Sequence, residues 1–211
     1  MNNSTKFNKT KPITHIQTLQ NSMLNVFNMS KSKPGQRFPL RVNDKKMCFS
    51  LVQGECEFKR STDSLLIGIL KAPIIIGISD LVIDPENILI QAITPVEYMY
   101  LPLDDFLLHI ETHNLWKPLT YNLMYLSARS HDYTQLNTAL SSYELICNCL
   151  RTLIEEDFER RATLPAVQYI MERTQLSRSG IMKTLSELNS GGYIVIKRGL
   201  LIKINKLPSK Y

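Results

Sequence analysis

No apolar run in this 211-residue chain is long enough to cross a bilayer, which takes roughly 20 consecutive apolar residues. The longest such stretch, residues 65–78, is interrupted by Lys71 and Pro73. Residues 1–12 are polar and basic and lack an apolar segment, so no secretory signal is read there. Cysteine is scarce: Cys48, Cys56, Cys147 and Cys149 do not make a disulfide framework in a chain of this length. These absences predict a cytoplasmic protein with free thiols and no membrane association. Enzyme signatures are missing too. There is no Gly-rich phosphate loop and no nucleophile elbow. Ser130, His131 and Asp132 are neighbours in sequence, which is not the geometry of a triad. Neither an enzyme nor a cofactor is expected. With 44% hydrophobic and 21% charged residues the composition is that of a folded globular chain.

Charge is distributed unevenly. Residues 1–60 hold 11 Lys and Arg against 3 Asp and Glu, residues 61–162 hold 6 against 14, and residues 163–211 hold 8 against 2. The middle block offsets the first, and the last keeps its own positive charge. A small basic C-terminal module points to a polyanionic partner.

Periodicity places the elements. Ile13, Ile16, Leu19, Met23, Val26 and Phe27 recur at spacings of three or four, which predicts an amphipathic helix ended by Lys33-Pro34-Gly35. Residues 36–100 read as short strands at 51–52, 65–70, 74–78, 88–93 and 97–101, separated by turn signals such as Gln53-Gly54 and Thr94-Pro95. Such spacing predicts an antiparallel sandwich or roll. Ile74, Ile76, Ile78 and Ile90 read either as its core or as the lining of an apolar pocket. Asp104-Asp105 caps a helix over 106–110. A long helix is expected over 115–143, with Pro118 in its first turn. In a seven-residue frame Leu119, Leu126, Tyr133 and Leu140 share one position, and Leu123, Ser130 and Asn137 share the complementary one. That row reads either as a dimer seam with Asn137 marking the register or as the face the helix lays on its own domain. Another helix is expected over 144–158, ending in the solvated acidic cluster Glu155-Glu156-Asp157.

The stretch 163–206 carries the most information. Thr163 is expected to cap a helix over 164–173 with Val167, Ile170 and Met171 inward. After the turn Thr174-Gln175-Leu176, Ser177 caps a second helix with Ile181, Leu185 and Leu188 inward. Helix, short turn and helix is the layout of a helix-turn-helix reader. Its base-facing residues would be Arg178, Ser179, Lys183 and Thr184, Arg and Lys having the donors that guanine O6 and N7 accept. The helix N-terminus at Ser177 attracts a phosphate. A strand over 193–196, a basic turn Lys197-Arg198-Gly199 and a return strand over 200–204 add a wing, with Lys197 and Arg198 against phosphate. Gln175 stands where such turns commonly have Gly, so either Gln175 carries a small left-handed strain or the turn is slightly different. A small α+β module packed on the first domain, serving protein–protein interaction, is the alternative.

Other chemistry is sparse. His109 and His113 stand four apart on one helix face, but no third ligand joins them, Glu111 facing elsewhere, so no metal is expected. Cys147 and Cys149 project about 200° apart on a helix and cannot easily bridge. Oxidant sensing by one of them needs an exposed thiol of lowered pKa.

The order of parts resembles the Crp/Fnr superfamily of bacterial transcription regulators. More narrowly, KAPIIIGISD (71–80), RTQLSRSGIMKTL (173–185) and LLIKINKLPSKY (200–211) look like its IprA-type branch, named for inhibition of hydrogen peroxide resistance in enteric bacteria. The resemblance implies an α+β chain: a tail over 1–12, a degenerate cyclic-nucleotide-binding-like antiparallel β-roll over 13–114, a dimerisation helix over 115–143 and a winged helix-turn-helix over 144–211. It implies a DNA-binding homodimer linked to oxidative stress, reading double-stranded DNA through Arg178, Ser179 and Lys183, with RNA polymerase as a further partner. The sensor departs from cyclic-nucleotide readers, which place a Gly-Glu pair in a turn and an Arg several residues on. Here Ile78 follows Gly77, and Asp84 and Glu86 stand in a stretch without a cation. A cyclic phosphate would meet carboxylates alone, so cyclic AMP is not expected to bind.

Overall fold

A computed structural model describes residues 10–79, 87–137 and 140–208, with residues 133–137 described by their backbone. The acidic stretch containing Asp84 and Glu86 lies outside the described residues, as does most of the N-terminal tail. The chain divides into two compact units, Met1–Tyr133 and Thr134–Tyr211.

The first unit opens with α1 (Ile13–Met23), whose Ile16, Leu19 and Met23 are buried. Among the described residues nine strands follow: β1 (Ser30–Ser32), β2 (Arg37–Pro39), β3 (Arg41–Val42), β4 (Lys45–Gln53), β5 (Glu55–Arg60), β6 (Leu66–Lys71), β7 (Ile74–Ile76), β8 (Ile88–Ala92) and β9 (Val96–Pro102). All pairings are antiparallel: β1-β9-β4-β3 with β7 also on β4 form one sheet, and β2-β8-β5-β6 form the other. Then come α2 (Leu103–Thr112) and the 22-residue α3 (Trp116–Asn137).

Period-two alternation sorts the first sheet's side chains into two cores. Phe49, Leu51, Ile74, Ile76, Val96, Tyr98 and Tyr100 point to the second sheet, where they meet Phe38, Cys56 and Ile90. Cys48, Ile75, Met99 and Leu101 point the other way, to Ile16 and Leu19 of α1 and to Leu103, Phe106 and Ile110 of α2. The result is three layers: helices, sheet, sheet. Between the sheets the rings of Phe38, Phe49, Tyr98 and Tyr100 pack at centroid distances of 4.6–6.3 Å, Phe49 stacked on Tyr98, Phe38 tilted against Phe49 and the other pairs edge to face. Ile74, Ile76 and Ile90 belong to that inter-sheet core, while Ile78 joins the helix-side one, so these four residues do not line a common pocket.

Several expectations need correction; Asp104 and Asp105 lie in the first turn of α2, which Pro102 precedes, and do not cap it. Strand β5 was not expected, because Glu55, Glu57 and Lys59 alternate with Cys56 and Phe58 and break the apolar run. The charges face outward and pair, Lys59 to Glu57 at 2.5 Å and Lys71 to Glu55 at 3.1 Å. The long helix does not run to Tyr143. Ser141 caps a new helix, α4 (Ser142–Glu155), in a reciprocal capping box: the Glu144 N–H donates to Ser141 Oγ and the Ser141 N–H donates to Glu144 Oε2 at 2.8 Å. Leu140 therefore lies outside α3, half-buried.

The second unit holds α4, α5 (Phe158–Thr163), α6 (Ala166–Arg173), α7 (Arg178–Ser190) and the hairpin β10 (Ile194–Lys197) and β11 (Leu200–Ile204). Thr163 ends α5, its hydroxyl donating to the Glu159 carbonyl, and Pro165 rather than Thr163 precedes α6. Tyr169 fills the inward position expected of Met171, which is 40% exposed. The core joins Ile146, Leu150 and Leu153 of α4, Tyr169 and Ile170 of α6, Ile181, Leu185 and Leu188 of α7, Ile194 of β10 and Leu201 of β11. Each such side chain taken from water contributes about 1.5–3 kcal/mol to holding α7 against its neighbours. No described helix is long and apolar enough to cross a membrane.

Candidate nucleic-acid interface

Local chemistry sets the start of α7. Ser177 is extended and its hydroxyl accepts the Gly180 N–H at 3.2 Å, satisfying one of the orphan donors of the first turn. The turn before it needs no left-handed residue. Thr174 is extended and buried, its Oγ1 donates to the Ile170 carbonyl at 2.8 Å and accepts the Leu176 N–H at 3.4 Å, and Gln175 has no positive φ. Of the two readings of Gln175 the different turn holds: the Thr174 hydroxyl, not a glycine, shapes the corner.

Past the cap, Arg178, Ser179 and Lys183 are exposed; Ser179 and Lys183 lie opposite the buried stripe of Ile181, Leu185 and Leu188, and Arg178, in the first turn, lies at its edge. Thr184 is half-buried and its hydroxyl turns back to the Gly180 carbonyl at 3.1 Å. The Ser177 hydroxyl is taken up by the cap and lies 3.3 Å from that of Ser179.

The wing closes through two residues with φ above zero, Arg198 at 51° and Gly199 at 83°, between the paired Lys197 and Leu200. That is the two-residue turn whose twist matches antiparallel strands, and it asks for Gly or a tolerant residue at both places. The pairing register slips between Val195 and Ile196, leaving Ile202 without a partner and 50% exposed. This bulge accounts for the incomplete alternation of residues 200–204. The hairpin is held at both ends: the Ala166 N–H donates to the Gly199 carbonyl at 2.9 Å, and the Ile196 N–H donates to Asn189 Oδ1 of α7 at 2.9 Å. Lys197 and Arg198 are thus exposed on a hairpin tied to both helices. Among the described residues none of Arg178, Lys183, Lys197 and Arg198 pairs with a carboxylate.

Arg173 is committed elsewhere. Its guanidinium lies 3.5 Å over the Tyr169 ring, and Tyr169 donates to Glu156 at 3.2 Å. Burial pushes the Tyr169 phenol up to about 12, keeping it a neutral donor.

The dimer row expected on α3 is largely turned inward. Leu119 is 2% exposed in the unit's own core, and Leu123 and Leu126 are half-buried against its clusters. The side chains of Tyr133 and Asn137 lie outside the described residues. The outward row carries Met124, which is 62% exposed. Periodicity defined the row, and the body covering it is the first unit.

In the roll, Gly77 has φ +91°, and a Cβ there would come within 2.3 Å of the Met47 carbonyl oxygen, so glycine is required. Ile78 is 4% exposed, an aliphatic chain in the core. His109 is 5% exposed, bonded to Ser22 Oγ at 3.1 Å and set edge-on to Phe27. Its ring lies 4.2 Å from that of His113, and burial, followed by the charge of His113, holds its pKa below the ordinary histidine value. Glu111 accepts from Trp116 Nε1 at 2.7 Å. Among the described residues no three His, Cys, Asp or Glu gather as a metal site. Among the described residues the four cysteines form no disulfide. Burial raises Cys56 to about 12 and Cys149 to about 11, and it raises Cys147 as well.

Antiparallel roll, long helix and winged helix together define a Crp/Fnr-type regulator fold. The family model for winged helix-turn-helix DNA binding matches residues 142–209. The c-di-GMP responsive global regulator CLP of Xanthomonas campestris superposes with a TM-score of 0.67 at 14% identity, covering 90% of this chain and 100% of that one. A proposed transcriptional regulator of the Crp/Fnr family from Eubacterium rectale gives 0.63 at 12%, covering 89% and 90%. Among curated sequences, the inhibitor of hydrogen peroxide resistance of Salmonella typhimurium is 34% identical over 192 residues, spanning 85% of this chain and 91% of that protein. Its Escherichia coli K12 counterpart is 31% identical over the same shares. The chain belongs to the inhibitor of hydrogen peroxide resistance family.

Proposed function

We propose that this protein is a sequence-specific transcription regulator that reads duplex DNA with α7. Arg178, Ser179 and Lys183 meet base edges, with the half-buried Thr184 behind them, while Ser177, Lys197 and Arg198 sit at the phosphates. The observation that carries the reading is a capped helix start and an anchored wing turn presenting exposed cations without carboxylate partners. The protein acts as a homodimer on two half-sites about one helical turn apart, and engages RNA polymerase there. The outward row of α3 around Met124 serves self-association, since Leu119 is already covered. The role is regulatory rather than enzymatic. Its genes belong to the oxidative stress response, a link supported by the name of the relatives. Burial, which raises the thiols of Cys56, Cys147 and Cys149, argues against a peroxide-sensing thiolate at those three positions. Cyclic AMP is not its effector: buried Ile78 stands where a ribose-binding carboxylate is needed.

Genome-wide mapping of bound sites, followed by binding to a recovered fragment and to random duplex at two salt concentrations, tests this. Preference for the recovered fragment supports it. Equal binding to both removes sequence reading, and micromolar calorimetric binding of cyclic AMP removes the effector claim.

A further inference from the structure

One apolar side chain on the reading face has no role in the contacts above. Met182 is 51% exposed on α7, between the buried Ile181 and Leu185. It stands four residues after Arg178 and three after Ser179, the spacings at which helix side chains are surface neighbours. Exposed Ser186, four residues on, adjoins it, and exposed Lys183 follows it about 100° round the helix. A long apolar chain inside a cationic and hydroxyl-bearing arc contributes to binding only where it meets apolar surface. In the major groove each base pair offers a hydrogen-bonding pattern, and thymine adds one apolar group, its C5-methyl. Methionine is unbranched and adaptable and can follow that methyl without displacing the neighbouring cation.

We propose that Met182 is a specificity-determining residue that reads a thymine methyl beside the base met by Arg178. The proposal rests on the assignment of α7 as the DNA reader. The test uses the full-length protein and a site selected from random duplexes. Each thymine of that site is replaced in turn by uracil, which removes the methyl alone, and binding is measured for the wild type, Met182→Ala and Met182→Leu.

One thymine per half-site should show about a fourfold loss on conversion to uracil, the effect of one apolar carbon group buried. The loss should vanish in Met182→Ala and persist in Met182→Leu. Affinity for random duplex should not change, and circular dichroism should show each variant folded, the side chain being exposed. A flat uracil scan in the wild type, or the same loss in wild type and Met182→Ala, overturns the proposal. The two readings fail separately. If Arg178→Ala destroys site preference while the uracil scan stays flat, only the role of Met182 falls. If the wild type selects no site, the assignment of α7 falls with it.

Discussion

In the first unit Lys31 reaches Glu97 at 2.5 Å, Lys59 reaches Glu57 at 2.5 Å, Lys71 reaches Glu55 at 3.1 Å, and Arg60 grips Asp63 through two bonds of 2.6 and 2.9 Å. In the second unit the pairs that form among the described residues, Arg160 with Glu156 and Arg173 with Glu172, lie outside α7 and the hairpin. Arg178, Lys183, Lys197 and Arg198 point to solvent without an acid. Both units are rich in cations, so net charge by itself does not locate a polyanion site. Position decides. A strand cation pairs where a carboxylate stands beside it, across the ladder for Lys31 and Lys71 or two residues along the same strand for Lys59. A cation on the outward arc of a helix or at a hairpin tip has no opposing strand and keeps its field for a partner.

The largest effect that would sharpen this contrast is structural. Phe49→Ala opens the aromatic core between the sheets and should cost about 3–5 kcal/mol of first-unit stability, read as a shift of the urea midpoint. Its effect on the local chemistry of α7 should be nil. Arg178→Ala comes next: about 1–3 kcal/mol lost on the selected site, with random duplex little affected. A uniform loss on both would reassign Arg178 to phosphate and break the division between reading and positioning. Smaller again is Lys197→Ala, which should lower the slope of log affinity against log salt by about 1 on every duplex. Lys59→Ala, in an ion pair on the roll, should leave that slope unchanged, and its stability effect should fall within the roughly 0–1 kcal/mol of surface pairs. A matching slope change for Lys59→Ala would put DNA on the roll as well.

The smallest expected effect is pH-dependent and belongs to the first unit. His109 binds its proton less readily in the fold than in the unfolded chain, because burial and His113 oppose the charge. Stability is therefore full above about pH 6.5 and declines as pH falls below it, where the unfolded chain takes up the extra proton. Urea midpoints at pH 7.5 and 5.5 should show this decline. His109→Gln should flatten it while leaving the affinity of α7 for DNA unchanged.

Much of the interface was legible in the sequence because its signals are short-range. Ser177 as cap, the stripe of Ile181, Leu185 and Leu188, and the turn at Arg198-Gly199 each depend on residues a few positions apart. The capping box from Ser141 to Glu144 was equally local, yet the heptad frame running through Leu140 obscured it. Strand β5 was missed for the opposite reason: its charges are satisfied by β6 and by each other, which only the pairing reveals. Met182 carried an available signal, an apolar residue one turn past Arg178 on the polar side of α7.

Local chemistry written along the chain therefore settled where helices begin, which stripe of α7 is buried and how the wing turns, since caps, periodicity and positive φ act within a few residues. The tertiary structure alone decided what covers each apolar row. Leu119 and Met124 both lie on α3, and a periodic pattern says which residues share a face but not which body that face meets. That choice depends on the sheets and helices brought together from distant parts of the chain, which bury Leu119 and leave Met124 in water.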